Sequence, residues 1–187
     1  MLHEDDHELV RRSLDDPRAF DALFDRHFAS VHRYARHCLD VQAADDVASE
    51  TFLRAFASRG RYAPSTPDAR AWLFAIALNL VRDEVRRRGR LGGLRERLSV
   101  LHPASPLVEA CADVDGADPQ LREALRGLRE QDREVLLLFA WAELSYEEIA
   151  EATQTAVGTV RSRLSRARTR LRAQIEAPRE PAPERTR

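Results

Sequence analysis

Apolar residues recur at helical spacing along most of this chain. Phe20, Leu23, Phe24, His27, Phe28, Val31 and Ala35 fall on one side of a helix wound at about 100° per residue. They predict a core-packing helix that uses Pro17 in its first turn and runs to about Leu39. A shorter amphipathic helix over Asp6 to Leu14 precedes it and is stopped by Asp15-Asp16-Pro17. Ala44, Val47, Ala48, Thr51 and Ala55 give a third helix, Val41 to Ser58, its inward stripe, leaving Asp46, Glu50, Leu53 and Arg54 outside. A loop rich in glycine and proline follows, carrying Tyr62. A fourth helix is expected from Pro67 or Asp68 to about Arg88. Leu73, Ile76, Ala77 and Leu80 face inward there, with Trp72, Ala75, Asn79, Arg82, Asp83 and Arg86 on the other side.

The pattern breaks between Gly89 and Pro119, where Gly89, Gly92, Gly93, Pro103, Pro106, Gly116 and Pro119 read as a flexible connector. Beyond it, Asp132 to Ala140 is strongly apolar. Ser145-Tyr-Glu-Glu-Ile-Ala150 opens a helix with Ser145 as N-cap and Glu148 three residues on, and Thr153 to Ala156 turns into another. In that last helix Val157, Val160, Leu164, Ala167 and Leu171 share one side; Ser162, Ser165, Arg166 and Thr169 lie opposite, with Arg161 and Arg170 at the margins. The order is that of a helix-turn-helix whose final helix reads DNA. Arg161, Arg163, Arg166, Arg168, Arg170 and Arg172 stand between Ala152 and Ile175 with no acid among them, so an anionic backbone is attracted along the exposed surface. Taken alone, the same helix also fits an ordinary solvated amphipathic surface.

Net charge conceals this. Thirty basic residues against 31 acidic ones leave −1 overall, yet residues 1–50 carry twelve acids and six arginines while the C-terminal helix is wholly basic. Every basic residue is arginine, which we attribute to the codon bias of a GC-rich genome. The chain is long enough for one domain or two small ones, and 43% hydrophobic residues suffice for a core. Cys38 and Cys111 are a distant pair without a Cys-x-x-Cys, which fits a reducing compartment and supplies no metal framework. No apolar run is long enough to span a membrane and the acidic N-terminus is not a signal peptide, so a cytoplasmic location is expected.

Leu144-Ser-Tyr-Glu-Glu-Ile-Ala150 followed by Val157-Gly-Thr-Val-Arg-Ser-Arg-Leu-Ser-Arg-Ala-Arg168 resembles the fourth conserved region of bacterial RNA polymerase sigma factors of the extracytoplasmic-function (ECF) group. Asp45-Asp-Val-Ala-Ser-Glu-Thr-Phe-Leu-Arg-Ala-Phe56 and Trp72-Leu-Phe-Ala-Ile-Ala-Leu-Asn-Leu-Val81 resemble the second. The chain departs from the family at Glu143 and Gln154, where glycine is frequent, and at Arg129, where proline often follows the leucine. The resemblance implies an all-α protein of two small helical modules. Residues 1–90 would bind core polymerase and open the −10 element, 91–118 would form a flexible linker, 119–175 would read the −35 element, and 176–187 would be a disordered tail. It implies that Asp46, Glu50, Leu53 and Arg54 dock on the clamp coiled coil of the largest polymerase subunit, with the second-largest subunit's flap as a further contact. Tyr62, Trp72, Asn79, Arg82, Asp83 and Arg86 would serve the melted −10 strand. Thr159, Arg161, Ser162, Arg163, Ser165, Arg166, Thr169 and Arg170 would serve −35. No catalytic residue, metal or cofactor is implied; an anti-sigma factor in trans, able to hold the protein at the membrane, is the expected regulator.

Two other classes compete. A helix-turn-helix regulator acting without polymerase would bind duplex tightly alone. A metallohydrolase would draw on His3-Glu-Asp-Asp-His7, which has the spacing of zinc proteases but stands at the frayed start of the chain. His27, His32 and His37 are five residues apart, which rotates each about 140° from the last, so they do not converge on an ion.

Overall fold

The computed structural model describes residues 5–62, 68–96 and 119–176, and all their regular structure is helical. Four helices form the N-terminal part: α1 (Asp6–Arg12), α2 (Ala19–Cys38), α3 (Val41–Ser58) and α4 (Arg70–Glu96), with a short 3-10 turn at Arg59–Arg61. Four more follow: α5 (Pro119–Arg126), α6 (Glu130–Ala140), α7 (Tyr146–Thr153) and α8 (Val157–Ile175). No helix among the described residues is long and apolar enough to cross a membrane.

Local chemistry sets the helix ends. The Asp40 carboxylate accepts from the Ala43 amide at 3.0 Å and starts α3. Ser145 and Glu148 form the expected reciprocal capping box, with each side chain accepting from the other's backbone N–H, at 3.2 and 2.6 Å. Gln154 ends α7 in the left-handed conformation at φ 53°, and Glu143 enters the α6–α7 turn at φ 55°. These are the two positions at which the sequence departs from glycine. Helix α4 outruns its expected end at Arg88 and continues to Glu96. Isolated glycines weaken a helix by only about 1 kcal/mol each. Glu84 offsets this locally by accepting from Arg87 and Arg88 one turn on, and Arg88 also reaches Asp40 at the α3 cap.

The inward stripe of α3, Ala44, Val47, Ala48, Thr51 and Ala55, is buried as expected. On α2, Phe20, Leu23, His27, Val31 and Ala35 are buried, but Phe24 is 38% exposed and Phe28 half-buried, and both rings stack against each other and Phe52 at the surface. Helix α4 is buried on more than the one expected face. Phe74, Leu78, Val81 and Val85 join Leu73, Ala77 and Leu80 in the core, because α7 as well as α3 packs on α4, residues of α2 and α6 meet Leu78 and Val81, and Phe74 meets Tyr34 of α2 edge-on at 5.6 Å. One apolar core therefore runs from α1 through α4 into α6, α7 and α8. A small second cluster of Leu125, Leu128 and Ala167 fixes α5 on α8.

Candidate nucleic-acid and polymerase interfaces

Helix α8 presents the expected division. Val160, Leu164 and Ala167 are buried, Val157 and Leu171 partly so, while Arg161, Ser162, Ser165, Arg166, Thr169 and Arg170 are exposed and Thr159 and Arg163 half-buried. Two of its arginines lean on the first turn of α6: Arg163 donates to the Gln131 side chain at 2.8 Å, and Arg166 donates from Nε and Nη2 to the two Asp132 carboxylate oxygens at 3.3 and 2.9 Å. Those bonds push the Arg166 pKa further up. Arg129, Asp132, Ser165, Arg166, Thr169 and Arg170 line one open groove of about 480 Å³. The prospective duplex face thus extends from α8 onto the start of α6.

Five of the six −10 candidates stand on α4, with Tyr62 at the end of the 3-10 turn before it, and they separate by exposure. Asn79, Asp83 and Arg86 are exposed. Asn79 and Ile76 form one wall of an open groove of about 390 Å³, with Arg54, Ala57, Ser58 and Arg61 opposite. Arg54, grouped by sequence with the polymerase-facing residues, therefore also borders the Asn79 groove, with its Nε on Glu50 at 2.7 Å. Arg82 turns elsewhere: it donates to both carboxylate oxygens of Glu134 on α6, at 2.6 and 2.7 Å, and more weakly to the Asn79 carbonyl oxygen at 3.3 Å. Tyr62 and Trp72 pack on each other with ring centroids 4.6 Å apart and are both partly buried. Burial, then the nearby acids, pushes the Tyr62 phenol up.

The prospective polymerase face is open. Asp46, Leu53 and Arg54 are exposed and Glu50 half-buried on the outer side of α3, Leu53 at 65%. Phe24 and Phe28 of α2 lie beside Phe52 of α3 and extend the apolar surface; sequence periodicity had put them in the core.

The acidic and histidine-containing stretch at the N-terminus yields a structural knot. Asp6, His27 and Asp68 approach one another within 4.8 Å. The Asp6 oxygens are already committed, to Arg26, to His27 Nε2 at 2.6 Å and to the Ala69 amide at 3.0 Å. Burial would raise the Asp6 carboxyl pKa, but the His27 hydrogen bond and charge and the Ala69 amide hold it well below its usual value. A guanidinium in contact with the same carboxylate opposes a cation, so these residues tie α1 and α2 to the start of α4 and do not fit a metal site. His3 and Cys111 lie outside the described residues.

The comparisons with known proteins agree with the helical order. Sigma-70 region 2 matches residues 23–91 and Sigma-70, region 4 matches residues 119–171. The ECF RNA polymerase sigma factor SigC of Mycobacterium tuberculosis (strain CDC 1551 / Oshkosh) is 34% identical over 163 residues, 85% of this chain and 84% of its own. The chain belongs to the ECF group of sigma factors. It is a transcription initiation factor and not an enzyme. Among solved structures, CnrH in complex with the cytosolic domain of CnrY is similar at a TM-score of 0.68 and 29% identity, covering 94% of this chain and 100% of that one. The sigma factor RpoE in complex with the anti-sigma factor NepR, from Bartonella quintana, is similar at 0.64 and 26%, covering 87% and 99%.

Proposed function

We propose that this ECF sigma factor directs core polymerase to promoters by reading duplex at −35 with α8 and capturing melted strand at −10 in the groove beside Asn79. The division of α8 carries the reading: a buried apolar stripe fixes the helix on α6 and α7, and its exposed side offers hydroxyls and arginines with no acid on the helix. Hydroxyls and guanidinium forks supply base-edge contacts, and the remaining arginines neutralise phosphate. In the N-terminal part, Asn79 brings an amide to a groove flanked by Arg54 and Arg61. An unstacked base needs edge hydrogen bonds, and its phosphates need cations.

Asp46, Glu50, Leu53 and Arg54 form the docking face for the clamp coiled coil, an exposed leucine ringed by charge. The flap of the second-largest subunit is the expected contact of the C-terminal helices. The kinship with a sigma factor held by NepR supports regulation by an anti-sigma factor in trans, acting on a cytoplasmic protein. Transcription reconstituted from the full chain and core polymerase on genomic promoters tests the reading. Promoter-specific transcripts that depend on both proteins are expected. Tight sequence-specific duplex binding by the chain alone, with no polymerase-dependent start, would establish a self-sufficient regulator instead.

A further inference from the structure

We propose that Asp132, on the first turn of α6, is the positioning residue that makes Arg166 a reader of one base instead of a clamp on phosphate. The proposal rests on the reading of α8 as the −35 helix. An arginine head carries five N–H donors: one on Nε and two on each terminal nitrogen. Asp132 accepts from Nε at 3.3 Å and Nη2 at 2.9 Å, the side-on pair. What remains is the end-on pair, one N–H from each terminal nitrogen, and that parallel fork matches the O6 and N7 acceptors of guanine.

Burial makes the carboxylate a fixed anchor. The Asp132 side chain is 8% exposed, whereas Arg166 is 52% exposed and so remains open to a ligand at its outer edge. Asp132 also sits in the first turn of α6, where the helix dipole favours an anion, and its backbone amide is held by the Arg129 carbonyl at 3.0 Å. Together with Ser165, Thr169 and Arg170 the pair lines the groove that extends α8 onto α6. An unrestrained Arg166 at this exposure would swing to the nearest phosphate, where it would add affinity for every sequence and discrimination for none. A carboxylate facing DNA also repels the backbone. Asp132 therefore lowers general affinity while raising selectivity, a combination that a residue serving only the fold does not produce.

Holoenzyme reconstituted from the full chain and core polymerase, offered a duplex library randomised upstream of a fixed downstream segment, tests this. Wild type should enrich an upstream motif containing a guanine whose preference Arg166→Ala removes. Asp132→Asn should relax the same position by about tenfold, leave the other positions intact, raise retention of unrelated duplex, and steepen log K against log salt by about 1. Asp132→Glu keeps a carboxylate and should restore the preference in part. Unchanged base preference in Asp132→Asn overturns the proposal. So does a parallel fall of affinity and preference in both variants with a lowered melting temperature, which would make Asp132 purely structural. Failure of wild type to enrich any upstream motif would instead remove the −35 reading of α8.

Discussion

Arg82 of α4 grips Glu134 of α6 through both carboxylate oxygens, at 2.6 and 2.7 Å, and thereby joins the two halves of the molecule through a residue assigned by sequence to the melted strand. Glu134 has a side chain only 10% exposed. The hydrogen bond to Glu134 chiefly raises the Arg82 pKa, so the guanidinium stays charged throughout. Arg82 cannot hold Glu134 and a promoter phosphate with the same donors.

Glu134→Gln should therefore loosen the contact between halves, by about 2 kcal/mol as for loss of one partner of a desolvated charged pair. Arg70, which donates to the Ala142 carbonyl at 2.6 Å, and the packing of α7 on α4 should keep part of the population closed. Energy transfer between dyes on α3 and α8 measures this directly. A double-mutant cycle with Arg82→Ala should show that the two changes are not additive. Equal transfer in wild type and both single variants would mean that apolar packing alone sets closure.

Acidification should act on the same contact. His37 of α2 stacks on Trp141 with centroids 4.3 Å apart and planes within 10°. Burial, then Arg33 and Arg36, lowers its pKa below the ordinary 6.5. A histidine with a depressed pKa in the closed form binds fewer protons there than in the open form. Closure is thus fully favoured above the ordinary value and weakens as pH falls through it toward the depressed one. Energy transfer between the labelled halves should drop from pH 7.5 to 5.5 in wild type and change much less in His37→Phe, which keeps the stack without the titration.

Backbone strain at the two left-handed residues gives a stability prediction. Gln154 at φ 53° carries a cost of about 1–2 kcal/mol that glycine avoids, partly offset by glycine's larger unfolded-state entropy. Gln154→Gly should stabilise by about 0.5–1 kcal/mol, raising the melting temperature by about 1–4 °C. Glu143→Gly should gain less, because the Glu143 carboxylate also accepts from Arg33 at 3.2 Å. A lower melting temperature for Gln154→Gly would show that its side chain contributes a contact outweighing the strain.

The knot at Asp6 is expected to be a stability determinant. Asp6→Ala leaves Arg26, His27 and the Ala69 amide without their common acceptor, and should cost about 3 kcal/mol in urea denaturation. Zinc or manganese should leave the wild-type transition where it is. A metal-dependent rise in the midpoint would contradict the structural assignment of these residues.

Much of this was legible from spacing because single helices obey one period. The α3 stripe, the Ser145 capping box and the buried face of α8 each depend on residues within a few turns of one another. The family resemblance located Asn79, but nothing local predicted that Arg82, three residues on, would turn to a partner 52 positions away. Periodicity assigns a helix one inner face, and α4 is buried on more than one, since residues of α2 and α6 meet Leu78 and Val81, Tyr34 of α2 meets Phe74, and α7 packs on the same helix. Phe24 and Phe28 fail for the converse reason: their spacing is that of core residues, but no further helix among the described residues covers them. The Asp132 hold on Arg166 was equally invisible, as it joins residues 34 positions apart with the whole of α7 between them.

Strand opening separates Asn79 and Arg86 of α4 most sharply. Asn79 stands on the wall of the 390 Å³ groove, its carbonyl oxygen touched by Arg82 at 3.3 Å and its amide N–H groups free to meet a base edge. Arg86 lies two turns on, 65% exposed, with only a 3.6 Å contact to Asp83. Unstacking a base costs a few kcal/mol, which the groove must return as hydrogen bonds once the base has left the duplex. Asn79→Ala should therefore leave closed complexes nearly unchanged and slow opening by about tenfold, the weight of one or two lost hydrogen bonds. A promoter pre-melted at −10 should recover most of the loss. Arg86→Ala should instead weaken binding and flatten log K against log salt by about 1, because its partner is phosphate. Permanganate reactivity of the −10 strand follows the first effect and binding across a salt series the second. Equal opening rates for wild type and Asn79→Ala would move base capture to the opposite wall, where Arg54 and Arg61 remain.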